Sequence, residues 1–373
     1  MSGDREVILV GAGHAHVEVL RAWSLDPEPR TRLTLVVDRE IALYSGMVPG
    51  FVAGQYRAGD LEIAVRPLAR RARARIVLGE AIRIDTDASV VHVKGEASIA
   101  YDVASLDVGS TVAGMDLPGV REHALPTRPI ADLVERADAI VRRATRERSE
   151  RRLIVVGAGA GGVELAFCFE ARIRRETGRR CRILLLDAGP SLLAGASPRL
   201  RARVERAARR RAIHWRCGTR VAGVEATGVR LDGGEALPAD AVIWAAGAAA
   251  LPFLRSSGLP VDADGFVRVQ PTFQVEGLRD LFAVGDCASL SDGARVPKAG
   301  VHAVRAGPVL VRNLRSWLRG EPLTEVRPQR DFLSLLNLGD GTAIGGKWGL
   351  AFEGRSALRL KDWIDRRFVR RYA

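Results

Sequence analysis

Two stretches of this 373-residue chain repeat one pattern, and that pattern restricts the fold more than any other feature. In the first, the apolar run Val7-Ile8-Leu9-Val10 leads directly into Gly11-Ala12-Gly13-His14-Ala15-His16, and Val17-Glu18-Val19-Leu20 opens a helical pattern. A further apolar run, Leu33 to Val37, ends in Asp38. In the second stretch, Leu153 to Val156 leads into Gly157-Ala158-Gly159-Ala160-Gly161-Gly162, and the run from Cys181 to Leu186 ends in Asp187. Strand, glycine turn, helix, strand and acid is an order that binds a dinucleotide. The first glycine gives the tight turn, the second lets the backbone approach the diphosphate, and the helix N-terminus offers free N–H groups. The acid then accepts from the adenosine ribose. His16 stands where a third glycine is usual, whereas the second unit has all three, Gly157, Gly159 and Gly162. Two units predict an α/β protein with two Rossmann-like dinucleotide-binding domains. Two facing dinucleotides predict hydride transfer between a nicotinamide and a flavin.

The remaining sequence fits around these units. Ile41 to Gly50 is apolar but broken by Gly and Pro, and reads as a shaped loop running toward the flavin ring. Ala74 to Gly79 and Val90 to Val93 read as edge strands, with His92 facing solvent. Tyr101 to Ser110, with Gly109, and Ala239 to Gly247 read as strands that close each unit. Pro126 to Glu150 reads as a charged helical linker, after which the second unit is inserted into the first domain. The first domain resumes at a strand that stops at Gly285-Asp286, where Asp286 is placed to accept from a ribityl hydroxyl. The helix from about Val296 to Leu318 points its positive end at a reduced, anionic flavin. The expected domains are 1–120 and 248–320 for the flavin dinucleotide, 121–247 for the nicotinamide dinucleotide, and a small C-terminal α+β segment, 321–373. In that segment Phe332 to Leu338 meets Gly339-Asp340-Gly341 as a hairpin. Leu360, Trp363, Ile364, Phe368 and Tyr372 then form an apolar helical stripe edged by Lys361, Arg366, Arg367, Arg370 and Arg371, suited to an anionic membrane surface.

Composition narrows the classes. No run of eighteen apolar residues occurs, and the charged start Met1 to Glu6 runs straight into a strand, so neither a membrane span nor a signal peptide is expected. A cytoplasmic protein, at most peripheral on the membrane, follows. The net charge of +13 rests almost wholly on arginine, since only four lysines occur. It reads as a basic solvated surface rather than a nucleic-acid interface, with Arg70 to Arg75 and Arg206 to Arg211 as polar helix faces. The four cysteines, Cys168, Cys181, Cys217 and Cys287, form no close pair, so neither a redox disulfide nor a zinc knuckle is written here. Cys168 reads as a packing residue.

With both glycine loops and Gly285-Asp286 in place, the chain resembles the pyridine nucleotide-disulfide oxidoreductase superfamily. It is most similar to the group found alone or fused ahead of selenophosphate synthetase. The motifs that carry the likeness are Val10 to Val17, Tyr44-Ser45-Gly46-Met47, Pro297-Lys298-Ala299-Gly300-Val301 and Lys361-Asp362-Trp363-Ile364-Asp365-Arg366. Type II NADH dehydrogenases, through Gly162 to Ala166, and sulfide:quinone oxidoreductases, through Pro297-Lys298, are more distant likenesses. The resemblance implies FAD on Gly11, Gly13, His14, Asp38, Gly109, Gly285 and Asp286. It implies NADH, in preference to NADPH, on Gly157, Gly159, Gly162 and Asp187. Lys298 is placed beside the flavin to stabilise negative charge, His302 is placed to protonate the acceptor, and Glu164 lies at the nicotinamide site. Val301 and Arg305 replace the dehydrogenases' quinone-site glutamines, and nothing after Cys287 is a cysteine, as a sulfide enzyme would need. The activity implied is NADH oxidation with a quinone or similar small acceptor. A sulfide:quinone-type enzyme is one alternative, and a redox-sensing flavoprotein that binds nucleic acid or a protein partner is another. A homodimer is compatible with each.

Overall fold

The computed structural model describes residues 4–146, 150–291, 293, 296–327 and 331–373. Its frame is two five-stranded parallel sheets of the same design. In the first, Arg5–Val10 lies at the centre, with Thr31–Val37 and Arg75–Leu78 on one side and Val103–Leu106 and Leu281–Ala283 on the other. In the second, Arg151–Val156 is central, flanked by Cys181–Leu186 and Ile213–Arg216 and, opposite, by Ala241–Trp244 and Ala124–Pro126. The central strands are near-continuous apolar runs because helices or neighbouring layers cover both faces. Val7, Ile8, Leu9 and Val155 are fully buried. Each acid-bearing strand is followed by its own three-stranded antiparallel sheet, Ala81–Asp85 with Val90–Val93 and Ile99–Ala100, and Val221–Glu225 with Gly228–Leu231 and Ala236–Pro238.

Three expectations change. Arg75–Leu78 is an edge strand, but Val90–Val93 is the middle strand of its small sheet, and His92 is held by the Ser98 hydroxyl at 2.9 Å. The stretch read as a linker forms the helix Ile130–Arg146, which buries Leu133, Ala137, Val141 and Ala144. That spacing of four, four and three residues is one helical stripe, so the segment is a layer of the second unit despite its charge. Residues 147–149 of that stretch, and Met1 to Gly3 of the charged start, lie outside the described residues. Arg211 is no surface residue: its guanidinium bonds Glu170 Oε2 at 2.5 and 2.8 Å and reaches Leu338 O at 2.6 Å, pinning the C-terminal hairpin to the helix Ala160–Thr177.

Two helices build the floor of the first unit. His14–Leu25 crosses Gly300–Arg319 where a Cβ on Gly307 would lie 2.9 Å from Glu18 Cβ and 3.4 Å from Ala15 Cα, so only glycine allows so close a crossing. The C-terminal segment is a three-stranded sheet, Ser334–Asn337, Ala343–Lys347 and Leu350–Gly354, followed by the helix Arg355–Arg370. That helix splits the expected apolar stripe. Phe368 and Tyr372 are buried against the first unit, while Leu360 and Trp363 face outward.

Candidate functional site

A cleft of about 730 Å³ runs along the C-terminal ends of the first sheet. Its outer end is formed by Asp38, Gly79 and Ala81, its middle by the Gly11-Ala12-Gly13 loop, and its inner end by Arg128, Asp286 and Gly300. This is where a parallel sheet places its ligand, because the strands end together there and the loops are free to specialise. Asp38 carries its carboxylate largely in solvent, paired with Arg39 at 3.3 Å. Gly285 has φ +72°, and the turn it makes brings Asp286 to the cleft, where Arg128 pairs with it at 3.0 Å. Arg128 also donates to the Ser110 hydroxyl at 2.7 Å.

The cleft suits an elongated dinucleotide such as FAD. His14 lines it with Nε2 buried and, among the described residues, without a hydrogen-bond partner, a polar atom left for a ligand to satisfy. Burial pushes its pKa down to about 4, so the ring is neutral, between Tyr44 and Phe368 at 5.5 and 5.6 Å. Tyr44 stacks on Phe368 at 4.3 Å, so a residue of the C-terminal helix supports the wall of the cleft.

One residue that sequence reasoning did not single out, Asp107, completes the site, and Lys361 and Glu164 gain partners the sequence did not show. Asp107 lies directly beneath the first glycine loop, its Oδ2 accepting from the N–H of Ala15 at 2.8 Å and of His16 at 3.1 Å. Gly13, the N-cap of the first helix, brings no side chain, so Asp107 serves as the cap from 94 positions away in sequence (107 minus 13). Lys361 is buried at the junction of three segments. Its Nζ donates to Gly46 O at 2.7 Å and to Asp365 Oδ2 at 3.0 Å, and the charge of Glu164 bears on it. Burial disfavours its ammonium, but Glu164 and Asp365 outweigh that and hold it charged. Glu164 in turn accepts from the N–H of Asn337 at 2.8 Å, and burial raises its carboxyl to about 7 against the pull of Lys361 and Asn337. Lys361 and Asp365 were legible only as members of one motif, and nothing local in sequence marks Asp107.

The expected nicotinamide residues lie on the second unit. Gly159 caps the helix Ala160–Thr177 with no side-chain hydrogen bond, and Gly157 turns with φ +108°. The carboxylate of Asp187 faces its own loop, accepting from Ala158 N–H and Gly189 N–H, each at 2.6 Å, which leaves one lone pair per oxygen for a ribose. Gly109, with φ +69°, lines the first cleft. Lys298 departs from expectation: it does not line the cleft, and its ammonium bonds Ala288 O and lies 3.9 Å over the Phe266 ring. The cation at that end of the cleft is Arg128. His302 sits edge-on to Phe332 at 5.4 Å with a buried Nε2 that has no partner among the described residues, and burial and the charge of Arg305 lower its pKa.

Two glycine-loop units under one C-terminal cap define a two-dinucleotide α/β oxidoreductase. Residues 5–307 match the pyridine nucleotide-disulphide oxidoreductase family, and the chain belongs to it. It is 26% identical over 370 residues to the demethylphylloquinone reductase NdbB of Synechocystis, covering 96% of this chain and 90% of that one. It is 26% identical over 345 residues to the type II NADH:quinone oxidoreductase NdhA of Mycobacterium tuberculosis, covering 84% and 73%. The fold superposes on the sulfide:quinone oxidoreductase of Aquifex aeolicus with a TM-score of 0.85 at 18% identity, over 99% of this chain and 91% of that one. It superposes on NDH2 of Plasmodium falciparum with a TM-score of 0.81 at 13% identity, over 99% and 97%. Among the described residues no helix is long and apolar enough to cross a membrane, and no His, Cys, Asp and Glu cluster fits a metal ion.

Proposed function

We propose that the protein oxidises NADH through a bound FAD and delivers the electrons to a quinone or similar small acceptor. Segments 1–120 and 248–320 hold FAD on Gly11, Gly13, His14, Asp38, Gly109, Gly285 and Asp286. Segment 121–247 takes NADH on Gly157, Gly159, Gly162 and Asp187, and segment 321–373 closes the inner end of the site. Bound FAD supplies the redox chemistry, accepting hydride from the nicotinamide and releasing electrons to the acceptor. The observation that carries this reading is the buried Lys361, which ties the Gly46 carbonyl of the flavin-side loop to the charge of Glu164 on the NADH-side helix. The reacting ends of two dinucleotides would meet there. Glu164, with its carboxyl at about 7, takes up and releases a proton at the nicotinamide end, and His302 is the residue assigned to protonate the acceptor. The quinone follows from the names of the relatives. Thiol chemistry does not: burial raises Cys168 well above the ordinary thiol range and Cys181 and Cys287 to about 12.

The protein is expected to purify yellow, to bleach anaerobically with NADH, and to regain colour with a water-soluble quinone. NADPH should bleach it more slowly, because Asp187 repels a 2′-phosphate. A Cys168→Ser/Cys287→Ser protein should keep most of this activity. Bleaching by sulfide rather than NADH would transfer the assignment to the sulfide enzymes, and a protein that takes up no FAD would end it.

We further propose that the enzyme sits on an anionic membrane surface. Trp348 and Leu350 on the hairpin are 73% and 58% exposed, and Trp363 on the following helix is 58% exposed. Lys347 and Arg367 lie over the two tryptophan rings, and Arg359 and Arg370 are exposed beside them. Each basic side chain near such a surface is worth about 1 kcal/mol. Full-length protein should float with anionic liposomes, and Trp348→Ser/Trp363→Ser should not, while keeping its activity on a water-soluble quinone. A parent protein that stays at the bottom of the gradient assigns this face to a second copy or to solvent.

A further inference from the structure

The two glycine loops share one backbone plan, and the strand that closes each unit brings a different side chain beneath them. In the first unit the N–H of Asp107 donates to Val10 O at 2.9 Å, and a Cβ on Gly11 would lie 2.4 Å from the Asp107 carbonyl oxygen. In the second, Ala245 does both: its N–H donates to Val156 O at 2.8 Å, and its carbonyl oxygen would lie 2.2 Å from a Cβ on Gly157. Asp107 and Ala245 therefore occupy the same position of the repeat. The consequence appears at the helix N-termini. A Cβ on Gly159 would meet nothing within 4 Å, whereas one on Gly13 would lie 2.2 Å from Asp107 Cγ, and one on Gly285 would lie 2.6 Å from Asp107 Oδ1. The methyl group of Ala245 leaves its helix end open. Asp107 takes two first-turn N–H groups, of the kind an anion seated on a glycine loop draws on.

Taking the FAD site proposed above as the starting point, we propose that Asp107 is a cofactor-site residue whose charge sets the affinity of the first loop for the dinucleotide diphosphate. As the neutral acid it shares the loop with the diphosphate, and as the carboxylate it opposes it. Asp107 is 3% exposed. The ionisable groups facing it are His14 and His16 on the first helix, and Asp286 and Cys287 on the Gly285 turn, with Arg128 paired to Asp286 beyond. Burial pushes the Asp107 carboxyl up to about 7, and the charge of Asp286 adds to this against the two N–H groups. His14 and His16, both pushed down to about 4 by burial, are neutral over the range where Asp107 titrates, and Cys287 stays a thiol. The diphosphate adds negative charge, so the bound state holds the Asp107 proton more tightly than the free state and binding takes up a proton. Affinity is then level below the free-state pKa and falls by roughly tenfold per pH unit above it, until the bound-state pKa is passed.

The test is FAD binding to flavin-stripped protein between about pH 6 and about pH 9, read by flavin fluorescence, with calorimetry in two buffers of different ionisation enthalpy to count protons. The parent is expected to show the alkaline loss and the proton uptake. Asp107→Asn is expected to bind with a level profile, no uptake, and a tighter Kd than the parent at the alkaline end. Should Asp107→Asn not fold, Asp107→Ala and the parent's proton count decide the matter. A parent that binds FAD with a level profile and no proton uptake overturns the inference and leaves the FAD site standing, as does a slope that survives in the folded variant. No FAD binding at any pH overturns the reading beneath it.

Discussion

Gly13→Ala is expected to purify without flavin colour and to be about 1–3 kcal/mol less stable than the parent, the cost of forcing a methyl group into a filled site. Its backbone angles, φ −64° and ψ 175°, suit alanine, so the effect is a collision and not strain. The collision is with Asp107, whose Cγ would lie 2.2 Å from the new Cβ. Asp107→Ala removes those atoms, so the double variant should recover most of the stability, a non-additivity that marks two residues in contact. Denaturant midpoints and the flavin-to-protein absorbance ratio measure both effects. A Gly13→Ala protein as stable as the parent would show that the acid does not press on the loop.

Gly159→Ala is the opposite case. Here too the angles suit alanine, φ −68° and ψ 177°, and the new Cβ meets nothing. Stability should stay within about 0.5 kcal/mol of the parent, as for a substitution that touches no neighbour. FAD content should be unchanged. Only a diphosphate on the second loop would meet the methyl group, so half-saturation of flavin reduction by NADH should rise by about tenfold, equivalent to about 1.4 kcal/mol. The concentration dependence of anaerobic flavin reduction reads this directly. An unchanged dependence would remove the second loop from the NADH site.

These variants show which parts of the site were legible in the sequence. Both glycine loops and their acids could be read, because a parallel strand, a turn and a helix N-terminus are local and their spacing is fixed by geometry. The reason for Gly13 could not be read. In the structure it makes room for an acid from a strand nearly a hundred positions further on, and only the pairing of Val7–Val10 with Val103–Leu106 brings the two together. Lys298 shows the converse: its motif places it beside the cleft, but a carbonyl and an aromatic ring turn its ammonium away. Arg211 reads as one of a run of surface arginines until Glu170 and Leu338 O fold over it. Long-range partners of charged residues leave no periodic trace, so charge runs were the least informative feature of this sequence.

The placing of Phe368 and Tyr372 governs the order of events during synthesis. Phe368 backs Tyr44 and His14 on the flavin side, and Tyr372 donates its hydroxyl to Glu18 Oε2, at 2.9 Å, on the helix that carries the first glycine loop. The loop itself leaves the ribosome more than three hundred residues before these partners. A nascent chain can form the first parallel sheet only once Leu281–Ala283 has emerged, and the wall of the cleft only once residue 372 has followed. A complete cleft is thus available to a ligand only after residue 372 has been made.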